Sequence, residues 1–184
     1  MNQSKITVRY ARALLSSAKE AGVLNDVYND INSLLHVFNQ STDLKEVFAN
    51  PIIKPSLKIK IMKEITASMH KLVQSLSILI IQNDREALYT DICRDFISFY
   101  KAEMGIKTAS LFTVAPVGEK NLKSIRDMLA AHFDAEIEMN QITNEKLIGG
   151  FIARIDDIQI DASVKSGLEK LKRELSLDTY KSKI

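Results

Sequence analysis

The 184-residue sequence is 46% hydrophobic and 26% charged, with only 6 glycines and 3 prolines, which is the composition of an ordered globular protein. The low glycine and proline content argues against a long disordered linker. The net charge of +2 argues against a dedicated nucleic-acid module, because clustered Lys and Arg supply most of the affinity of such proteins for phosphates.

Cysteine content and hydropathy narrow the protein class further. Cys93 is the only cysteine, so an internal disulfide is excluded and a reducing compartment is expected. Residues 1–10 lack the apolar core of a signal peptide. The longest apolar run, Leu76–Ile81, is far shorter than the about 20 residues that cross a bilayer. We therefore expect any attachment to a membrane to be indirect.

The first predicted helix spans residues 5–21 and carries a narrow, alanine-rich apolar stripe. Its members, at i, i+3 and i+4 spacing, are Tyr10, Ala11, Leu14, Leu15 and Ala18. Gly22 follows as a C-terminal stop. The small side chains on this stripe would let a neighbouring helix approach closely.

Three further helices are predicted before residue 66. The second has a continuous apolar face formed by Leu24, Val27, Tyr28, Ile31, Leu34, Leu35 and Phe38. The third begins with Thr42 or Asp43 as N-cap and ends at Asn50-Pro51, and Pro55 suits the first turn of the fourth. We interpret the basic residues of this region, Lys54, Lys58, Lys60 and Lys63, as a solvated helix face rather than a phosphate-binding patch.

Helices five and six complete a predicted bundle. Helix five, over residues 71–83, has one apolar stripe of Leu72, Val73, Leu76, Leu79 and Ile80, and further apolar surface at Ile78 and Ile81. This is more than one buried face requires, so the helix either is central in the bundle or leaves a hydrophobic strip for a partner. Helix six carries Leu88, Ile92, Phe96 and Phe99 at nearly regular i, i+4 spacing.

After Gly105 the pattern changes to strands alternating with helices. Strand-forming residues fill 108–114, residues 135–139 alternate apolar and charged, and an amphipathic helix lies between them. Two more strands flank a hairpin turn at Asp156-Asp157, and Asp161 or Ser163 caps a final helix. The sequence therefore predicts a mainly α protein, with an N-terminal six-helix bundle over residues 1–104 and a small α/β domain over residues 105–184.

The residue types that carry chemistry are present but not in catalytic patterns. His36, His70 and His132 are scattered, without the spacing of a zinc site. Gly149-Gly150 precedes a strand, whereas a phosphate-binding loop precedes a helix, so a bulge or a close backbone approach better explains the two glycines. The sequence thus predicts no catalytic residue, no cofactor site and no metal site.

Two pairs of acidic residues have ordinary structural interpretations. Glu136 and Glu138 lie two residues apart on one strand face, and Asp156 and Asp157 lie in a turn. An exposed strand face and turn chemistry explain them, because nothing nearby in the sequence would raise the pKa of one carboxyl for acid–base work.

Motifs spread along the chain resemble one protein family. Tyr10-Ala11 lies among small and apolar residues, Phe48–Pro51 contains an Asn-Pro break, and residues 147–172 combine a glycine pair, a hairpin and an amphipathic helix. In this order they are similar to the delta subunit family of the rotary ATP synthase, whose mitochondrial version is called OSCP. The residues that match the family signature are Gly149, Gly150, Phe151, Asp161, Ser163, Leu168 and Leu171.

The resemblance implies a non-catalytic stator subunit that links the F1 catalytic head to the membrane-anchored b subunits. Residues 1–104 would hold the N-terminal helix of an alpha subunit between the first and fifth helices, and residues 105–184 would bind the C-terminal end of the b subunits. Carried over by position, the expected alpha contacts are Tyr10, Ala13, Leu14, Leu76, Leu79 and Ile80. Such a subunit would lie at the cytoplasmic face of a bacterial membrane, attached only through b, with no nucleic-acid partner and no small-molecule substrate.

Two alternatives of other classes remain open at this point. A helical RNA-binding factor of the antitermination type would also contain many short helices, although the near-neutral charge of both halves and the lack of an Arg-rich arm disfavour it. A small enzyme whose site is assembled from distant residues would require a deep polar pocket with a strongly perturbed ionisable group.

Overall fold

The computed structural model describes the backbone of residues 3–181 and the side chains of residues 5–173. The chain divides into two compact units, one ending at Met104 and the other beginning at Gly105. The N-terminal unit contains helices α1 (Gln3–Glu20), α2 (Leu24–Gln40), α3 (Thr42–Ala49), α4 (Pro55–Ile65), α5 (Lys71–Gln82) and α6 (Tyr89–Glu103), with a short 3-10 helix (Glu86–Leu88) before α6. This arrangement confirms the predicted six-helix bundle.

Aromatic rings organise the core of the bundle. Phe38 of α2 stacks on Tyr89 of α6 with ring centroids 5.0 Å apart, and Phe48 of α3 meets Phe38 edge-on at 5.5 Å. The buried Tyr89 hydroxyl and the Ser77 hydroxyl of α5 are hydrogen-bonded at 2.6 Å. Because a buried hydroxyl without a partner is costly, this hydrogen bond fixes how α5 and α6 pack.

Helix α5 packs in the interior of the bundle. It packs against α1, α2 and α4, and it buries Val73, Leu76, Ser77, Ile80 and Ile81. Of the two interpretations of its surplus apolar surface, central packing is therefore the one observed. The predicted strip for a partner is reduced to what Leu79 and its half-buried neighbours expose.

The interpretation of the basic residues before and along α4 as a solvated face is wrong for Lys58. Its side chain is 2% exposed, and its ammonium group donates to the Phe48 carbonyl at 3.1 Å and pairs with Glu86. Lys54, Lys60 and Lys63 are exposed as predicted. The buried ion pair joins α4 to the C-terminal end of α3 and to the 3-10 helix.

Helix ends follow local capping chemistry. The N-cap of α3 is Ser41, whose hydroxyl accepts from the Leu44 backbone N–H at 3.1 Å, and not Thr42 or Asp43 as predicted. Pro55 occupies the first turn of α4 as predicted. Asp84 lies two residues after the last residue of α5 and adopts a left-handed backbone conformation with φ 54°, which does not continue the helix.

The C-terminal unit is a four-stranded sheet with two helices. Its elements are β1 (Ile106–Thr113), α7 (Glu119–Phe133), β2 (Glu136–Thr143), β3 (Gly150–Ile155), β4 (Ile158–Ser163) and α8 (Val164–Lys181). The strand order is β2-β1-β3-β4, in which β1 and β2 are parallel and the other pairs are antiparallel. A parallel pair requires a crossover, which α7 supplies, and the predicted Asp156-Asp157 turn joins β3 to β4.

One face of the sheet forms the core of this unit with α7. Leu111, Ala153 and Ile137 from three strands pack with Leu129 of α7. The register places Leu111 opposite Ala153, and Ala153 opposite Ile160, so these residues share the same face of the sheet. Asp134 ends α7 in the left-handed conformation, with φ 48°.

The Lys58–Glu86 pair yields a stability prediction. We expect Lys58→Met to lower the free energy of unfolding by about 3–5 kcal/mol, because it leaves the Glu86 carboxylate almost buried without its counter-charge. Denaturant unfolding followed by circular dichroism measures the change. Lys60→Met, an exposed position on the same helix, is the matched control and should change stability by less than about 0.5 kcal/mol. Equal effects of the two substitutions would contradict a stabilising role for the pair.

Candidate partner-binding surfaces

The six residues predicted to contact the alpha subunit lie on two helices that pack against each other, α1 and α5. Ala13 and Leu79 are exposed, and Leu79 is 46% exposed. These two residues are available to a partner on the surface of the bundle.

The other four predicted contact residues belong to the core of the bundle. Tyr10 and Leu14 of α1 and Leu76 and Ile80 of α5 are at most 9% exposed, and Ile80 is completely buried. Helical periodicity shows that a residue is on an apolar face but does not show whether this chain or another covers that face. These four residues therefore belong mainly to the core beneath the exposed Ala13 and Leu79. Any contact they make with a partner is restricted to small accessible areas.

Sequence reasoning did not assign Leu72, Ile78 and Ile6 to this surface. All three are half-buried, and Leu72 lies seven residues before Leu79, which places both on one side of α5. The i, i+7 spacing was the available signal. We define the α1–α5 surface as Ile6, Ala13, Leu72, Ile78 and Leu79.

The glycine pair of the C-terminal unit is explained by a close backbone approach, as predicted. Gly150 has φ +77°, and a Cβ atom at this position would lie 2.3 Å from the Ala162 carbonyl oxygen. Beside it, the Gly149 carbonyl accepts from the Val164 backbone N–H at 3.0 Å. The two glycines therefore let β3 begin directly against the end of β4.

Asp161 and Ser163 form the start of the last helix. The Asp161 carboxylate accepts from the Ser166 hydroxyl at 2.6 Å and from the Ser163 backbone N–H at 2.8 Å. The Ser166 hydroxyl, followed by Ser163, holds the pKa of the Asp161 carboxyl below its ordinary value. Ser163 is the N-cap of α8, since its hydroxyl accepts from the Ser166 backbone N–H at 3.3 Å.

Helix α8 exposes an apolar stripe. Val164, Leu168 and Leu171 recur at i, i+4 and i+7 and are about half exposed or more. The sequence pattern of the final helix predicts an apolar side that also includes Leu175, whose side chain lies outside the described residues. Nothing in the described part of the chain buries the other three residues. Its exposure makes it available to another chain.

A cleft of about 500 Å³ opens in the same unit beside the signature glycines. Its lining residues are Thr113, Val114, Ala115, Val117, Asn121, Ser124, Ile125, Ile148, Gly149, Gly150 and Phe151. Ile148 at its rim is 77% exposed. Hydrogen bonds from Asn144 N–H to the Thr113 carbonyl and from Val117 N–H to Gln141 hold the neighbouring loops, so the cleft is formed without a partner.

The strongly perturbed ionisable groups of the described residues lie in the core, not in a cleft. Burial raises the pKa of the Cys93 thiol to about 12, and burial together with Cys93 raises the pKa of Tyr89 well above its ordinary value. Both groups are therefore protonated at neutral pH, and a protonated thiol is a weak nucleophile.

Two kinds of feature are absent from the described residues: a metal-binding cluster and a membrane-spanning helix. No three His, Cys, Asp or Glu side chains between residues 5 and 173 are grouped so that they could hold a metal ion. None of the helices in the described region combines the length and apolar character needed to cross a bilayer.

Comparison with known proteins gives consistent results at the level of sequence and fold. The family described as ATP synthase delta (OSCP) subunit matches residues 6–175. The chain is 31% identical over 177 residues to ATP synthase subunit delta of Cytophaga hutchinsonii, with 96% of this chain and 97% of that protein covered. It is 29% identical to ATP synthase subunit delta of Christiangramia forsetii over the full length of both.

A solved structure has a similar fold. A chain in the cryo-EM structure of the Toxoplasma gondii mitochondrial ATP synthase hexamer matches with a TM-score of 0.72 at 18% identity. The match covers 92% of this chain and 96% of that chain.

The close approach at Gly150 can be tested by substitution. We expect Gly150→Ala to lower the free energy of unfolding by at least about 2 kcal/mol, because the new Cβ meets a carbonyl oxygen and the left-handed backbone disfavours alanine. Gly167→Ala is the control: it lies in α8 with no atom within 4 Å of an added Cβ, and it should stabilise the helix by about 0.5–1 kcal/mol. Hydrogen exchange of the β3 and β4 amides reports the local effect. Unchanged protection in Gly150→Ala would show that the strands tolerate a side chain there.

Proposed function

Because the chain belongs to the ATP synthase delta (OSCP) subunit family, we propose that it is a non-catalytic subunit of the peripheral stalk. In this role it links the F1 catalytic head to the membrane-anchored b subunits, so that rotation is coupled to ATP synthesis. The observation that carries the proposal is the family match over residues 6–175, which includes both compact units. A linker needs one docking surface for each partner, and each unit has exposed apolar surface of its own.

The N-terminal unit would bind the N-terminal helix of an alpha subunit on the α1–α5 surface. Leu79 offers an exposed anchor, and Ala13 on the neighbouring helix lets a partner backbone approach closely. The buried Ile80 and Leu76 hold Leu79 on a rigid helix. An amphipathic helix laid across two packed helices is a common mode of peptide recognition.

The C-terminal unit would bind the C-terminal end of the b subunits. Two features support this half of the proposal: the preformed cleft at Ile148 and the exposed stripe of Leu168 and Leu171 on α8. Both are apolar, and both lie on a unit whose core is already filled by the sheet and α7. Contact with the membrane would then be indirect, and the protein would lie at the cytoplasmic face of a bacterial membrane.

Energetics favour attachment at both ends. A stator must not dissociate between turns, which calls for sub-nanomolar affinity, or about 12 kcal/mol. One half-exposed leucine such as Leu79 contributes at most about 1.5 kcal/mol by burial, and association costs at least about 4 kcal/mol. The few partly exposed apolar residues of the α1–α5 surface would therefore hold a peptide less tightly than a stator requires, whereas two attachments in one complex strengthen each other through effective concentration.

The RNA-binding alternative gains no support from the basic residues before and along α4. Lys58 is buried in the core, which leaves three exposed lysines in this region, too few to follow a phosphate backbone. We do not propose it.

The proposed alpha contact predicts a selective loss of binding. Leu79→Asp should leave the circular dichroism spectrum unchanged, because the side chain is half exposed, but it should weaken binding of an alpha N-terminal peptide more than about tenfold by placing a charge in an apolar contact. Isothermal titration calorimetry measures the affinity.

The matched control is Leu57→Asp on α4, where the leucine is 51% exposed. This variant should bind the peptide like the unaltered protein. If Leu79→Asp also binds like the unaltered protein, the α1–α5 surface is not the docking site.

A second prediction tests the linking function directly. Tagged protein incubated with detergent-solubilised membranes should retain both alpha and b subunits, because each unit has its own partner surface. Leu79→Asp should selectively reduce retention of alpha and Ile148→Asp should selectively reduce retention of b, as judged by quantitative mass spectrometry with crosslinking to report direct contacts.

The control for Ile148→Asp is Ile52→Asp, an exposed isoleucine outside both proposed surfaces. It should leave both partners bound. If the unaltered protein retains neither partner, the proposed function is refuted. If either single variant loses both partners, the assignment of one partner to each unit is refuted.

A further inference from the structure

The N-terminal unit also has a cleft, which lies between α1 and α6 on a different side of α1 from Ala13. It encloses about 440 Å³. Its apolar lining comes from Leu15, Phe99 and Ala102, and its polar lining includes Arg12, Lys19 and Glu103. We call it the α1–α6 cleft. It has the apolar floor and charged rim that are typical of a site for an amphipathic segment.

The α1 side of this cleft belongs to a continuous basic stripe. The stripe comprises Lys5, Arg9, Arg12, Ser16 and Lys19, which recur at i, i+4, i+7, i+11 and i+14 and are all exposed. At 1.5 Å per residue the stripe is about 21 Å long, which matches about four turns of a partner helix. Four of its five members are cations, so the surface favours a negatively charged partner.

Two of these cations, Arg9 and Arg12, contact aromatic rings but no acidic side chain of the described residues, so their charges remain available to a partner. Lys19 pairs across the cleft with Glu103 at 2.7 Å, and both side chains are nearly half exposed. Arg12 lies over the Phe99 ring, 5.3 Å from its centroid, and Arg9 lies over Tyr10 at 5.9 Å. Neither arginine forms an ion pair with any side chain among residues 5–173. Their guanidinium groups can therefore accept a carboxylate in the bidentate geometry that arginine favours.

We propose that the α1–α6 cleft binds an acidic amphipathic helix of a partner protein. Its apolar side chains would pack on Leu15, Phe99 and Ala102, and its carboxylates, spaced one turn apart, would meet Arg9 and Arg12. The inference goes beyond the proposed function, because it concerns another side of α1: Ala13 is rotated by about 100° from Arg12 around the helix axis.

The same contacts disfavour a nucleic acid as the ligand. Bases bind single-strand-specific proteins by stacking on open aromatic faces, whereas Arg12 covers a face of the Phe99 ring.

The experiment uses the full chain and a synthetic 16-residue probe peptide with leucines at i, i+3, i+4 and i+7 and glutamates on the flanking positions. Fluorescence anisotropy measures its affinity, and amide shifts in NMR spectra locate it. We expect binding that shifts α1 and α6 amides and weakens several-fold between about 50 and 500 mM salt. A sister peptide with lysines in place of the glutamates should not bind. Failure of the acidic peptide, equal binding of both peptides, or its displacement by single-stranded RNA would overturn the proposal.

Variants separate this cleft from the other surfaces. Arg12→Glu should weaken the acidic peptide by about fivefold or more, because it turns an attraction into a repulsion. Arg12→Lys, which keeps the charge but not the bidentate geometry, should weaken it less. Lys45→Glu on α3 makes the same change in net charge outside the cleft and should have little effect. Leu79→Asp should also leave this peptide bound, so failure here and failure of the alpha-subunit contact are distinguishable. An affinity unchanged by Arg12→Glu, or reduced equally by Lys45→Glu, would contradict the assignment.

Discussion

Helix α5 closes the core of the bundle and also exposes Leu79 at the surface. Three helices pack around it, so its buried residues fix the positions of α1, α2 and α4 at once. The Ser77–Tyr89 hydrogen bond adds a directional constraint inside this packing. Leu79 is left outside on a helix that cannot easily shift. The surface proposed for the alpha subunit is therefore small but preformed, and a preformed surface loses little conformational entropy on binding.

The buried Lys58–Glu86 pair performs a related task among α3, α4 and the 3-10 helix. Helices α3 and α4 are short, and the segment between them contains the exposed Ile52. An ammonium group that bonds the last turn of α3 and the 3-10 helix before α6 fixes these short elements with one side chain. Such a pair gives directionality that apolar packing alone would not give, at the cost of removing two charges from water.

The sequence predicted the elements better than it predicted their environments. Periodicity located the six helices, the strand patterns and the Asp156 turn, because local spacing follows directly from helix and strand geometry. It assigned Ile80 and Leu76 to a partner, although the chain itself buries them, since periodicity does not reveal which chain covers a face. Lys58 was misassigned because its counter-charge, Glu86, is 28 residues away and only the folded bundle brings the two together.

The glycine pair shows the opposite case, in which the local sequence was sufficient to predict the backbone structure. Two adjacent glycines before a strand indicated a bulge or a close backbone approach, and the second is observed, because a Cβ at Gly150 would meet the Ala162 carbonyl. A close approach of two backbones requires only that a side chain be absent, so the sequence alone can indicate it. The clefts could not be predicted in this way, because Val114 and Ile148 are distant in sequence and become neighbours only through the sheet.

The distribution of apolar surface bears on how a small adaptor can hold large partners. Each unit fills its own core and then exposes only scattered apolar residues, such as Leu79 in the first and Ile148 and Leu168 in the second. A single large hydrophobic patch would bind more tightly but would also promote self-association before assembly. Several modest surfaces avoid that hazard, since each is weak alone and becomes effective once another attachment holds the partners close. The charged rim of the α1–α6 cleft fits the same design, because electrostatic contacts discriminate among partners at little cost in solubility.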